Sequence, residues 1–215
     1  MGRSARSGLG VILFALAGVA WPHIPVVGVT GNNSPSAAFQ IPRSQISWAI
    51  YANLNAACEV DYYSFELKAP GKTKITILTP FLPEYEDFYP AFAVIGPGLP
   101  LPKGKMPFEL PPGYGAVVQA GAPVKPRPVF YEPFSRKQYY QGFPEFNQEL
   151  TRPGTYYIAV WDPAGGYGAY ILGYGEKEGF TLKDWVNTFK VLSVIKSDKW
   201  VGKRGYPTPA FKSCP

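Results

Sequence analysis

Histidine is nearly missing from this 215-residue chain, which holds one, His23. A Ser-His-Asp or Cys-His arrangement would have to recruit it, because each needs an imidazole as base. The chain also lacks Gly-x-Ser-x-Gly, His-Glu-x-x-His, Cys-x-x-Cys and the full phosphate-cradling Gly-x-x-x-x-Gly-Lys-Ser/Thr loop. Gly165, Gly166 and Gly168 do not complete a dinucleotide fingerprint, since Ile171 stands in the last glycine position, and they read as a turn. Charged residues make up only 17% of the chain against 46% hydrophobic, a balance that excludes wholesale disorder.

Long apolar runs are scarce too. Leu9 to Ala20 is about a dozen residues, short of the roughly 20 that span a bilayer. It follows Arg3 and Arg6 and ends in Gly18-Val19-Ala20, so residues 1–20 read as a cleavable export signal and the protein as secreted or cell-surface. Ile24 to Val29 is apolar again, which leaves a retained anchor as the alternative. Cleavage after Ala20 would put His23 third from the new terminus. Pro22 has no N–H to lose, and a square-planar copper site of that kind needs one.

There are two cysteines, Cys58 and Cys214, and in an exported chain an even pair predicts a disulfide. Asn32-Asn33-Ser34 is a glycosylation sequon, with Asn32 as acceptor if the source is a eukaryote. The net charge is +6, but seven basic residues and two acids lie from Lys183 onward. The basic character therefore belongs to the tail, which speaks against nucleic acid as a partner of the folded body.

What is abundant is proline (24), glycine (23) and tyrosine (15). The first two break helix interiors and the third favours pleated surfaces, so the composition predicts an all-β domain. Residues 21–46 are polar and rich in Pro, Ser and Asn, an extended lead-in. The domain proper is expected over 47–179. Ser47 to Leu54 reads as a first strand. Val60 to Leu67 alternates, with Tyr63, Phe65 and Leu67 on one face, and Lys74 to Thr79 alternates again after an Ala-Pro-Gly-Lys turn. That pair is expected to form a hairpin. Ala91 to Ile95 is a short apolar strand. Residues 96–133 form a Pro-rich insertion, mostly loop, with a strand at Ala116 to Gln119. Gly154 to Asp162 is apolar on both faces, as in a central strand, and Pro163 to Gly166 is expected to turn it into a hairpin with Tyr167 to Tyr174.

Residues 180–215 are a helix and basic tail. Thr181 and Asp184 fit a capping box, and Leu182, Trp185, Val186, Phe189 and Leu192 follow at helical spacing. That stripe is expected to dock on the sandwich or on a membrane interface. Val191, Val194 and Ile195 fall off it, giving a second apolar side.

Asp61-Tyr62-Tyr63-Ser64-Phe65, Gly154-Thr155-Tyr156-Tyr157-Ile158-Ala159-Val160 and Tyr170-Ile171-Leu172 together resemble the bacterial pre-peptidase C-terminal domain family over Cys58 to Gly175. The resemblance implies an antiparallel two-sheet sandwich, jelly-roll-like, that accompanies other activities rather than performing one. Some relatives bind calcium or matrix polymers. The aromatic and β-branched residues of these motifs read as core filling, and Gly154 as a conformation other residues avoid.

Acidic residues supply the remaining chemistry. Glu84, Glu86 and Asp87 form a local cluster and are the calcium candidates, against a simpler reading as a solvated loop. No other cofactor is implied and no catalytic residue stands out. Two functions follow. One is a non-catalytic module that meets a surface polymer, a partner protein or, through its basic tail, an anionic membrane. The other is a hydrolase with paired carboxylates, such as a glycosidase, whose geometry is spatial and leaves no motif.

Overall fold

The computed structural model describes residues 23–120, 124–133, 135–142, 145–177, 179–201 and 214. The export signal at 1–20 and the tail bases Lys203, Arg204 and Lys212 lie outside the described residues. Twelve strands and one helix follow in order: β1 Ile24–Val27, β2 Phe39–Gln40, β3 Trp48–Leu54, β4 Val60–Leu67, β5 Gly71–Pro80, β6 Ala91–Pro97, β7 Tyr114–Gln119, β8 Val129–Glu132, β9 Lys137–Gln141, β10 Phe146–Leu150, β11 Gly154–Trp161, β12 Gly168–Tyr174 and α1 Leu182–Lys196. They build an all-β sandwich of two sheets with a short C-terminal helix.

The first sheet runs β1-β3-β12-β5-β9-β8, with β10 pairing the first half of β5, and the second runs β2-β4-β11-β6-β7. Between them Phe65, Ile77, Val160 and Leu172 meet in one core, all at most 2% exposed. Burying a side chain of this size stabilises the fold by about 1.5–3 kcal/mol, so this interior is the main source of cohesion. Phe65 stacks on Tyr156 with ring centres 5.4 Å apart. That ring lies where a Cβ on Gly96 would sit, at 2.0 Å from Tyr156 Cδ1, so the position admits nothing larger than glycine. Gly154 opens β11 at φ 147°, the conformation expected of it.

Several expectations need correction. Neither expected hairpin exists: β4 pairs β11 and β5 pairs β12, β9 and β10, while β11 pairs β4 and β6 and β12 pairs β3 and β5. Both turns carry the chain across the sandwich, from one sheet to the other. The alternation of a strand states which face is buried, and two strands facing one core from opposite sides show the same pattern as a hairpin. The sheets are also not wholly antiparallel. The lead-in supplies β1, parallel to β3, and β2, parallel to β4, so it is edge structure rather than a bare extension. Strands β8, β9 and β10 escaped the sequence because β8 and most of β10 are exposed and none of the three shows a clean alternation.

The Pro-rich insertion covers the outer face of the second sheet. Phe108, with Met106 and Leu110 beside it, packs there against Tyr62, Ala91, Ala93, Ile95, Ala159 and Trp161. Tyr62 therefore faces a second, smaller core, and its hydroxyl accepts the Glu109 N–H at 2.9 Å.

Helix α1 starts at the expected cap: Thr181 Oγ1 accepts the Asp184 N–H, and Asp184 Oδ2 accepts the Thr181 N–H at 2.7 Å. Its docking face is the reverse of the expected one. Asp184, Thr188 and Ile195 are buried and Val191 and Val194 pack on the core, whereas Leu182, Val186 and Phe189 are 82%, 48% and 62% exposed. Among the described residues no helix is long and apolar enough to cross a membrane.

Candidate functional site

Period-two spacing on β4 turns Asp61 and Tyr63 inward together, and Tyr170 on β12 meets them from the opposite sheet. Tyr170 donates its hydroxyl to Asp61 Oδ2 at 2.5 Å, and the Tyr63 and Tyr170 hydroxyls lie 2.6 Å apart. Asn32 joins the chain at Tyr63, while its Nδ2 donates to the Tyr62 carbonyl at 3.2 Å. Burial pushes the Asp61 carboxyl up to about 7, against the Tyr170 hydrogen bond and with help from the Glu59 charge. Burial likewise lifts both tyrosines well above their ordinary range. The result is a polar relay that ties the two sheets at one register.

Near neutral pH such a relay stands close to half-protonated, at a position closed off from solvent. Asp61 is 3% exposed and stands outside the surface cleft described below. Glycoside hydrolysis needs two carboxyl groups flanking a substrate, about 5–9.5 Å apart. Glu59, near Asp61, is engaged in a turn, its Oε2 accepting the Asn55 and Ala56 N–H groups. Asp162, also pushed up by burial, accepts the Gly166 N–H at 2.7 Å and shapes the turn into β12.

The other sequence candidates are scattered. Glu84, Glu86 and Asp87 are exposed, and Lys125 reaches Asp87 at 2.8 Å and Glu86 at 3.8 Å. Among the described residues no three His, Cys, Asp or Glu side chains gather as metal ligands. Asn32 is 4% exposed, with its amide nitrogen bonded inside the protein, so the folded chain does not present the sequon as a glycan acceptor. Cys58 and Cys214 are joined in a disulfide. His23 Nδ1 lies 2.6 Å from Ser47 Oγ, a pairing the sequence did not signal across 24 residues. Ser47 is 2% exposed and donates its hydroxyl to the Gly175 carbonyl at 3.0 Å. Both contacts of the Ser47 hydroxyl lie at least partly buried within the fold, so the pair acts as a clasp holding β1.

Arg127, within the Pro-rich insertion, was also missed. It is 6% exposed, lies between the Tyr89 and Tyr140 rings at 4.4 and 5.0 Å, and donates through Nη1 to the Tyr85 and Phe88 carbonyls. Burial lowers its guanidinium to about 10. It pins the insertion to the first sheet's edge.

Two surface features remain. The first is a cleft of about 310 Å³ between the end of β5, the β8–β9 hairpin and the turn after α1. Phe81, Tyr131, Arg136, Lys137, Gln138 and Asp198 line it, and Lys137 binds Asp198 at 2.5 Å. The second is the outward face of α1. Trp185 and Phe189 lie there with ring centres 6.2 Å apart, Leu182 and Val186 share the face, and Phe180, which precedes the helix and packs on the core, meets Trp185 from behind at 5.1 Å.

No protein-family model matches the chain, and no curated protein matches it. Among solved structures, it is similar to the pre-peptidase C-terminal domain of a collagenase from Bacillus anthracis, at 18% identity and a TM-score of 0.38, over 66% of this chain and 99% of that one.

Proposed function

We propose that this protein is an exported, non-catalytic β-sandwich module that seats on an anionic membrane surface through the outward face of α1. The observation that carries the reading is the ridge of Leu182, Val186 and Phe189, exposed on one helix face in a fold whose other large apolar groups are mostly buried. An exposed apolar face of this kind is unfavourable in water and marks an interaction surface. Its charge selects the occupant. The helix carries Lys183, Lys190 and Lys196, and its one acid, Asp184, faces inward against Arg43. The solvent side of α1 is therefore apolar and positive, the pattern of a helix lying in the lipid headgroup layer. Each lysine near an anionic surface contributes about 1 kcal/mol. Export is supported by the N-terminal Arg3, Arg6 and Leu9 to Ala20 pattern and by the disulfide, a bond that persists in oxidising compartments.

Flotation of the full chain with phosphatidylcholine vesicles, with and without phosphatidylglycerol, tests this. The double variant Leu182→Gln/Phe189→Gln keeps the charge and should lose binding by about tenfold or more. Lys183→Gln/Lys190→Gln should lose the preference for phosphatidylglycerol. Any contribution of the N-terminal apolar run is common to all three proteins. Unchanged binding in the first variant overturns the reading.

A further inference from the structure

The cleft beside β8 divides into surfaces of different chemistry. Tyr131 and Phe81 are 54% and 43% exposed, unusual for aromatic side chains in this fold, and both line it. Phe81 leans on Tyr140 with ring centres 4.8 Å apart, which fixes its ring from behind. Gln138 adds a neutral amide that can both donate and accept. Lys137 and Asp198 neutralise each other at 2.5 Å. Arg136 is exposed and makes no ion pair among the described residues, so one positive charge is left over at the mouth.

The β8–β9 turn is built to present these groups. Glu132 accepts the Ser135 N–H at 2.5 Å, and Arg136 is held at φ 58°, a conformation costly for a residue with a side chain. Register then places Tyr131 opposite Gln138, side by side on one face of the hairpin.

From this arrangement we infer that the cleft is a binding site for a carboxylate-bearing glycan, a uronic-acid oligosaccharide. A sugar ring has an apolar C–H face for Tyr131 and Phe81 and hydroxyl groups for Gln138 and Asp198. Its carboxylate matches the fork of Arg136, which takes two oxygens at once. A wholly apolar ligand would strip water from Arg136, Gln138 and the ion pair without replacing those hydrogen bonds, and that is costly. The volume lies at the lower end of the range for ligand pockets, roughly 300–1,000 Å³, and suits a short stretch of polymer rather than a large cofactor. None of its lining residues belongs to the outward ridge of α1, so it does not depend on the membrane reading.

The test is calorimetric titration of the full chain with an oligogalacturonate, a cello-oligosaccharide of equal length, and polyglutamate. The oligogalacturonate should bind more tightly than the other two. Tyr131→Ala and Arg136→Gln should each weaken it by about tenfold or more. Arg136→Lys, which keeps the charge but loses the fork, should fall between. Leu182→Gln/Phe189→Gln should titrate as the unaltered protein does, which keeps failure here distinct from failure at the membrane. Absence of oligogalacturonate binding overturns the inference, as does binding unchanged in both Tyr131→Ala and Arg136→Gln. Equal affinity for the cello-oligosaccharide overturns it because Arg136 would be idle, and equal affinity for polyglutamate because the aromatic walls would be.

Discussion

Arg43 grips Asp184 through one nitrogen, Nη2, which lies 2.7 Å from both carboxylate oxygens and joins the lead-in to the first turn of the helix across 141 residues. The contact decides which side of α1 faces the protein. Asp184 is the helix's cap partner and sits on the face opposite Leu182, Val186 and Phe189, so anchoring it inward turns the larger apolar groups out. The inner face makes do with the buried Thr188 and with Val191, Val194 and Ile195, which pack on the core that also holds Trp200.

Replacing Asp184 by Ala removes a cap and a charged hydrogen-bond acceptor together, and should cost about 2–3 kcal/mol of unfolding free energy. Burial pushes this carboxyl up, but the bonds from Arg43 and Thr181 outweigh it and leave it below the ordinary range. Its contribution is therefore present above about pH 4 and lost as pH falls through the depressed value. Urea midpoints for the variant and the unaltered protein should converge in acid. Midpoints that differ equally in acid and at neutral pH would refute the assignment.

Asp61 pulls the other way. Its folded carboxyl titrates at about 7, against 3.8 ordinarily. Between those values the unfolded chain has released the proton and the folded chain has kept it, so stability falls as pH rises across that window and then levels off. Asp61→Asn keeps an acceptor for Tyr170 and cannot ionise. Relative to the unaltered protein, the variant should gain on the order of a few kcal/mol between about pH 4 and pH 8. Denaturation curves across this range check it, and parallel pH profiles for the two proteins would refute it.

The Cys58–Cys214 bond closes a loop of 156 residues, around most of the folded body. The chain-entropy account gives such a closure about 5 kcal/mol as an upper figure, and loss of a native disulfide commonly costs about 2–5 kcal/mol. Trp200 already packs edge-on against Tyr51 at 4.9 Å, which holds the start of the tail without the bond. Cys58→Ser/Cys214→Ser should therefore remain folded but unfold at lower urea, and reductant should shift the unaltered protein to the same midpoint. A reductant-insensitive midpoint would show that the bond contributes nothing.

The amino-acid order by itself determined which segments are strands wherever burial alternates from face to face or a short run is apolar on both. Strands β4 and β5 were legible from Tyr63, Phe65, Ile75 and Ile77, β11 and β12 from their dense apolar runs, and α1 from its capping box. These signals are local, because period and cap chemistry act within a few residues. Tertiary structure alone decided partners and faces. Whether the turn after β4 closes a hairpin or crosses the sandwich depends on which sheet offers an open edge, and no residue in the turn records that. The helix has two apolar sides, and the choice between them rests with Arg43, far away in sequence. The Asp61–Tyr170 relay and the cleft were illegible for the same reason. Their members come from segments 109 residues apart in the first case, brought together when the sheets close, and from 81, 131, 136–138 and 198 in the second, brought together at one edge of the first sheet beside the turn after α1.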